Sequence, residues 1–253
     1  MRHFFTLLRH ELRNTLMAPA TYVAAFLFLL VMGFSFQWIV EDFSKGARES
    51  MPAVIFFQIF WLPVFFMVPL LTMRSFAEEK RNGTLESLFT TPVSTAEIVL
   101  SKFFAAYLFY AFLWLLTIGY SFLLHHFAND ARLLEAGPLV GGYLFIFLSG
   151  LLFIAIGIFA SSLTRNQLVA GILSFALLFG LLIFSRYLAE AVAFGGDYVP
   201  VSKSWIDYLQ VFQHAEDFAR GIVDTRAIFF YLSTAALFII LSILTMESKL
   251  WRS

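Results

Sequence analysis

The sequence predicts an all-α integral membrane protein: six transmembrane helices, an N-terminal interfacial helix, a short cytoplasmic amphipathic helix between helices 2 and 3, and an extracytoplasmic helical segment before helix 6. Three observations predict the class. Hydrophobic residues make up 60% of the chain and charged residues only 13%, far from the balance of an ordinary soluble domain. The charged residues are gathered into particular segments, and between those segments lie six apolar stretches of bilayer-crossing length.

Composition also removes several functions. Cysteine is absent, so disulfides, thiol chemistry and Cys-ligated metal drop out. The formal net charge is zero, which gives no argument for nucleic acid as a partner. The 33 Phe residues read first as lipid-facing and packing surface, and second as the lining of a cavity for an aromatic substrate. No internal repeat, low-complexity segment or dividing linker interrupts the chain, so residues 1–253 read as one transmembrane domain.

Residues 1–16 form a helix in which Arg2, Arg9 and Arg13 share one side and Phe4, Phe5, Leu8 and Leu12 spread over another. A basic amphipathic helix of this kind lies in the headgroup plane; the plainer alternative is a polar tail, because the helix is short. Ala18-Pro19-Ala20 imitates a cleavage site but precedes the apolar run that a signal peptidase site must follow. The first span is therefore expected to stay attached.

The spans are residues 21–40, 55–72, 103–124, 139–160, 168–185 and 227–246. Pro63 and Pro69 fall inside the second, where each removes a backbone donor and bends the helix. Gly137 and Gly141 at the head of the fourth have the spacing for close helix approach. With Pro138 between them a loop reading stands equally. A tight turn at residues 161–167 contains Arg165.

Between the second and third spans, residues 73–102 hold four basic and four acidic side chains and must lie in water. Asn82-Gly83 is a turn signal. After it Leu85, Leu88 and Phe89 share one helical face with Glu86 off it, and Pro92 ends the run. Ser94 and Glu97 have capping-box spacing, so a new helix starts there. A short helix displaying an apolar face in water needs a partner.

If the N-terminus is cytoplasmic, the inner segments hold Arg2, Arg9, Arg13, Arg74, Lys80, Arg81, Lys102, Arg165, Lys249 and Arg252, most of the 17 Lys and Arg residues. Both termini and residues 73–102 are then cytoplasmic. The outer stretch 186–226 places Trp205, Leu209, Phe212 and Ala219 at helical spacing, with Ser204 and Asp207 as a cap. It reads as a helix resting on or dipping into the membrane before the last span.

The chemistry that is missing narrows the function. No span carries a charge at its middle, which argues against an ion-coupled carrier. No Gly-x-x-x-x-Gly-Lys-Ser/Thr loop is present, so energy from ATP must come through another subunit. His125 and Asp130 have the His-x4-Asp spacing of some membrane acyltransferases but lack a companion anion-binding motif. His125 and His126 are adjacent and would point apart on a helix, so they do not read as joint metal ligands. No His-Glu-x-x-His or Gly-x-Ser-x-Gly occurs.

The run from Arg74 through Glu78-Glu79-Lys80-Arg81-Asn82-Gly83-Thr84-Leu85-Glu86 to Leu88, Phe89 and Pro92, followed by Lys102, resembles the cytoplasmic segment of type-2 ABC transporter permeases. Residues 214–226, with His214, Phe218, Gly221 and Asp224, are similar to the outer segment before the final span of these permeases. Within the family the chain looks most like the branch containing the permeases of gliding motility and of nitrous oxide reductase maturation. The resemblance implies that residues 84–89 are the coupling helix, docking into a separately encoded ATPase subunit. Glu78, Glu79, Lys80, Arg81, Gly83, Thr84, Glu86 and Pro92 are the positions that carry over.

It further implies two ATPase copies and a second permease, identical or not, in a bacterial inner membrane. ATP and Mg would sit on the ATPase, with no cofactor or metal bound by this chain and no catalytic residue in it. An ATP-driven exporter is the leading expectation. The other is a complex that transports nothing and transmits ATP-driven motion to an extracytoplasmic partner.

Overall fold

A computed structural model describes residues 2–44, 52–84, 93–120, 122, 136–193 and 210–250. Among the described residues there are ten helices and no strand. They are α1 (Arg2–Met17), α2 (Pro19–Ser44), α3 (Pro52–Gln58), α4 (Trp61–Thr72), α5 (Ala77–Asn82), α6 (Thr95–Leu116), α7 (Ala136–Leu163), α8 (Gln167–Ala193), α9 (Val211–Ala219) and α10 (Thr225–Leu250).

Among the described residues, five apolar helical stretches are long enough to cross a membrane: Pro19–Glu41, Thr95–Tyr120, Gly137–Leu163, Gln167–Phe184 and Thr225–Ser248. The expected second span is not among them, because it is divided into α3 and α4 at Ile59 and Phe60. The division has a local cause. Pro63 has no N–H to give the Ile59 carbonyl, and its ring crowds that carbonyl. The Ile59 carbonyl is met instead by Leu62 N–H at 3.1 Å. Pro69 stays inside α4, whose last turn closes through Met73 N–H to the Pro69 carbonyl at 2.9 Å.

α7 is the central helix: 78% of its apolar window is buried, against 22% for those of α2, α8 and α10. It packs against α10, α8, α6 and α9, while α2 rests on α4. α2 turns Ala24, Phe28, Met32 and Ile39 inward and leaves Tyr22, Phe26, Phe34 and Trp38 exposed. Water would penalise that outer face, whereas lipid does not distinguish it from a core.

At one end of the bundle α9 is packed into the fold. Val211, Ala215, Phe218 and Ala219 are buried, and Phe218 meets the ring of Phe145 at 6.1 Å. A Cβ on Gly141 would lie 2.0 Å from the Phe218 carbonyl oxygen, whereas one on Gly137 would meet nothing within 4 Å. Gly137 and Gly141 are thus helical, and Gly141 is the point of close approach. The helix of this outer stretch starts at Val211 with Gln210 at its N-cap; Trp205, Leu209 and the expected Ser204 and Asp207 cap lie outside the described residues, as do His125, His126 and Asp130.

Candidate functional site

The opposite end gathers α1, α5, the start of α6 and the turn between α7 and α8. α6 begins where the sequence sets it: Ser94 Oγ accepts from Glu97 N–H at 3.3 Å and the Glu97 carboxylate accepts from Ser94 N–H at 3.2 Å, a complete capping box. Asn166 opens α8, its Oδ1 accepting from Leu168 N–H at 2.9 Å.

Residues 73–76 leave α4 without a regular helix, and α7 satisfies the backbone freed there and at the first residue of α5. Ser161 Oγ accepts from Phe76 N–H at 3.0 Å and Ala77 N–H at 3.2 Å, and donates to the Met73 carbonyl at 3.3 Å. Lys80 Nζ donates to the Ser162 carbonyl. α5 then carries Glu78 and Glu79 in its first turn and Lys80 and Arg81 in its last, the order a helix dipole favours. Gly83 ends it in the left-handed region at φ 71°, with its N–H donating to the Glu79 carbonyl. Thr84 Oγ1 reaches the same carbonyl at 3.4 Å.

Beneath α5 lies a buried ammonium. Lys102 Nζ, its side chain only 3% exposed, donates to Glu11 Oε1 at 2.8 Å and Glu79 Oε1 at 2.6 Å. The Phe76 ring centroid is 5.5 Å from the same nitrogen. Removing one partner of a buried pair typically costs about 3–5 kcal/mol, because the remaining charge is stranded. Glu79 keeps 25% of its side chain exposed, yet its Oε2 is buried and, among the described residues, has no hydrogen-bond partner. Burial pushes the Glu79 carboxyl above the ordinary 4.5, against the opposing pull of Lys102. Next to it, Arg74 grips both oxygens of Glu78 at 2.8 and 2.9 Å. That hydrogen bonding holds Glu78 below 4.5.

A cavity of about 400 Å³ opens between α1, the Ala18 elbow and residues 70–79. Its polar lining includes Glu11, Arg74, Glu78, Glu79 and Lys102.

Of the residues singled out in the sequence, Glu78, Glu79, Lys80, Arg81, Gly83 and Thr84 sit together on α5 and its cap. Leu85, Glu86, Leu88, Phe89 and Pro92 lie outside the described residues. The four of the outer segment are spread over α9 and the turn into α10. Phe218 is core, and Gly221 takes a left-handed turn at φ 83°. Asp224 Oδ1 accepts from Arg226 N–H at 2.8 Å to cap α10, and His214 Nδ1 lies 3.2 Å from the Tyr231 hydroxyl.

Sequence reasoning did not find Glu11, Phe76, Ser161 or Ser162. No local pattern marks a lone serine at a helix end as an acceptor for a segment 85 residues away. On α1 most of the expected apolar face is kept: Phe4, Leu8 and Leu12 are half-buried, with Phe4 6.1 Å from Phe104, while Phe5 is 67% exposed. Leu7 packs against the core instead.

Comparison with curated proteins returns no match. The family model of the ABC-2 family transporter protein matches residues 40–212, a stretch running from the end of α2 into α9. The chain is a member of the ABC-2 family of transporter membrane proteins.

Proposed function

We propose that the chain is the permease subunit of an ATP-driven ABC exporter, working with a separate ATPase subunit present in two copies and with a second permease, identical or not. ATP and Mg²⁺ bind to the ATPase. The observation that carries the reading is the rooting of α5: a segment with the family's charged motif is fixed to α7 by Ser161 and Ser162 and to α6 by Lys102. A push delivered just beyond Gly83 therefore reaches the central helices instead of being lost in a loose connection. Leu85, Leu88 and Phe89 supply the apolar contact with the ATPase, and the end bearing α1 and α5 faces the cytoplasm, as the distribution of Lys and Arg favours. Both termini then lie in the cytoplasm of a bacterial cell, with the chain in its inner membrane.

Gentle purification of the tagged chain should recover an ATPase subunit. Leu88→Asp should leave the protein inserted but strip that subunit away; co-purification unaffected by the change would overturn the docking role.

A second reading draws on the outer end. Ile222 and Val223 are exposed at the turn between α9 and α10, next to a helix locked into the core by Phe218. An extracytoplasmic partner seated there would receive ATP-driven motion without any cargo crossing, as in a gliding-motility-like assembly. Cargo movement in vesicles containing the purified complex would favour the exporter over this reading.

A further inference from the structure

The first arm of the buried junction, Glu79, belongs to the segment that reaches the ATPase. The second, Glu11, belongs to α1, 91 residues from Lys102 in the sequence. α1 and residues 70–79 both line the cavity of about 400 Å³, which also reaches the Ala18 elbow where α1 ends. Lys102, and not close packing, joins them. We propose that Lys102 is a positioning residue of the coupling junction: by holding Glu11 and Glu79 on one ammonium, it makes α1 move as one piece with the ATPase-facing segment.

The physical reason is the burial of the nitrogen. An exposed pair exchanges with water at little cost. An ammonium on a side chain 3% exposed, facing Glu11 and Glu79 at 2.8 and 2.6 Å, has no comparable alternative. A displacement of α5 that kept Glu79 on Lys102 would carry α6 with it, and α6 carries α1 through Glu11 and the Phe4 and Phe104 contact. α1 also packs along α6, so Glu11 adds to that docking, and the adjoining cavity leaves α1 room to shift near the Ala18 elbow once Glu11 is released. The inference rests on the function proposed above only for the identity of what pushes on α5.

The chain has no cysteine, so His10→Cys on α1 and Asn82→Cys at the end of α5 can be spin-labelled without other changes. In lipid nanodiscs the otherwise native chain should give one narrow distance distribution between the labels. Lys102→Met should broaden it and add a second distance, and Lys102→Arg should restore the single one. Glu11→Gln, which leaves Lys102 paired with Glu79, should broaden it as well and decides the matter if Lys102→Met does not fold. In the complex recovered with its ATPase, Glu11→Gln should also lower ATPase stimulation about fivefold or more, the lower end of ordinary coupling energies. A purely structural role would lower the melting temperature but leave the distance distribution and the stimulation per folded complex unchanged, and that result overturns the proposal. If no ATPase accompanies the native chain, the function proposed above fails while the distance measurement still decides the tether.

Discussion

Ser161 Oγ accepts hydrogen bonds from two consecutive backbone amides, Phe76 N–H at 3.0 Å and Ala77 N–H at 3.2 Å. The two amides belong to the N-cap and the first residue of α5, where no earlier carbonyl of that helix is in place for them. A single hydroxyl thus fixes where the segment carrying α5 begins. Ser161→Ala leaves these buried donors unmatched, and about 1–3 kcal/mol of stability should be lost. Thermal melting of the purified variant in detergent, followed by tryptophan fluorescence, reads this loss. A melting curve identical to that of the native chain would show that the hydroxyl does not hold the segment.

At the other end Gly141 and Gly137 make opposite predictions from one motif. A side chain at Gly141 would collide with the Phe218 carbonyl, a backbone atom that cannot rotate away, while Gly137 faces open space. Gly141→Ala should therefore force α9 off α7 and cost about 1–3 kcal/mol, as overpacking usually does. Gly137→Ala should be neutral or gain up to about 1 kcal/mol from better helix propensity. The two melting temperatures, measured side by side, separate close approach from a general need for glycine in this turn of helix.

How much of this was legible in the sequence depended on the range of the interaction. The capping box at Ser94 and Glu97 and the turn at Gly83 are set by neighbours within a few residues, and the structure has both. The prolines were visible, but not which of them would divide the second span. Pro63 breaks it because Leu62 can take over the Ile59 carbonyl, while Pro69 is carried within α4. The face of α1 was read from periodicity alone, and docking on α6 keeps Phe4, Leu8 and Leu12 of it while adding Glu11 and leaving out Phe5. A carboxylate on that face makes sense only once Lys102 is known to lie beneath it. The same limit hid Ser161, whose partners are 84 and 85 residues away.

Glu78 and Glu79 are adjacent but should respond to acid in opposite ways. Glu78 is held below 4.5 by its hydrogen bonds from Arg74, so the stability it contributes is present above 4.5 and is lost as pH falls through its folded value. Glu79 is pushed above 4.5 by burial. In the folded state it binds its proton while the unfolded chain is still ionised, so its contribution favours folding below 4.5 and declines as pH rises through the folded value. Comparing Glu78→Gln and Glu79→Gln with the native chain from neutral pH down to well below 4.5 tests the signs. The native advantage over Glu78→Gln should shrink on acidification, and the native position relative to Glu79→Gln should improve. Parallel slopes for the two variants would mean that Glu79 is better solvated than its buried Oε2 implies.

Gly83 controls the direction in which the chain leaves α5 toward the region proposed to meet the ATPase. Its φ of 71° lies in the left-handed region, and a Cβ there would touch nothing within 4 Å. The penalty for Gly83→Ala is therefore purely a matter of backbone conformation, about 1–2 kcal/mol. Asn enters the left-handed region more readily than Ala, so Gly83→Asn should lie between Ala and the native residue. Because Gly83 N–H caps the Glu79 carbonyl, an alanine that avoids the left-handed region gives up that hydrogen bond and redirects residues 84–92. Recovery of the ATPase with the tagged chain should fall in the order Gly, Asn, Ala, while the yield of membrane-inserted protein stays level, since residues 81–84 are exposed. Equal recovery for all three would mean that the left-handed turn is absent from the assembled complex, and the exit path from α5 would then have to be sought in another conformation of the segment.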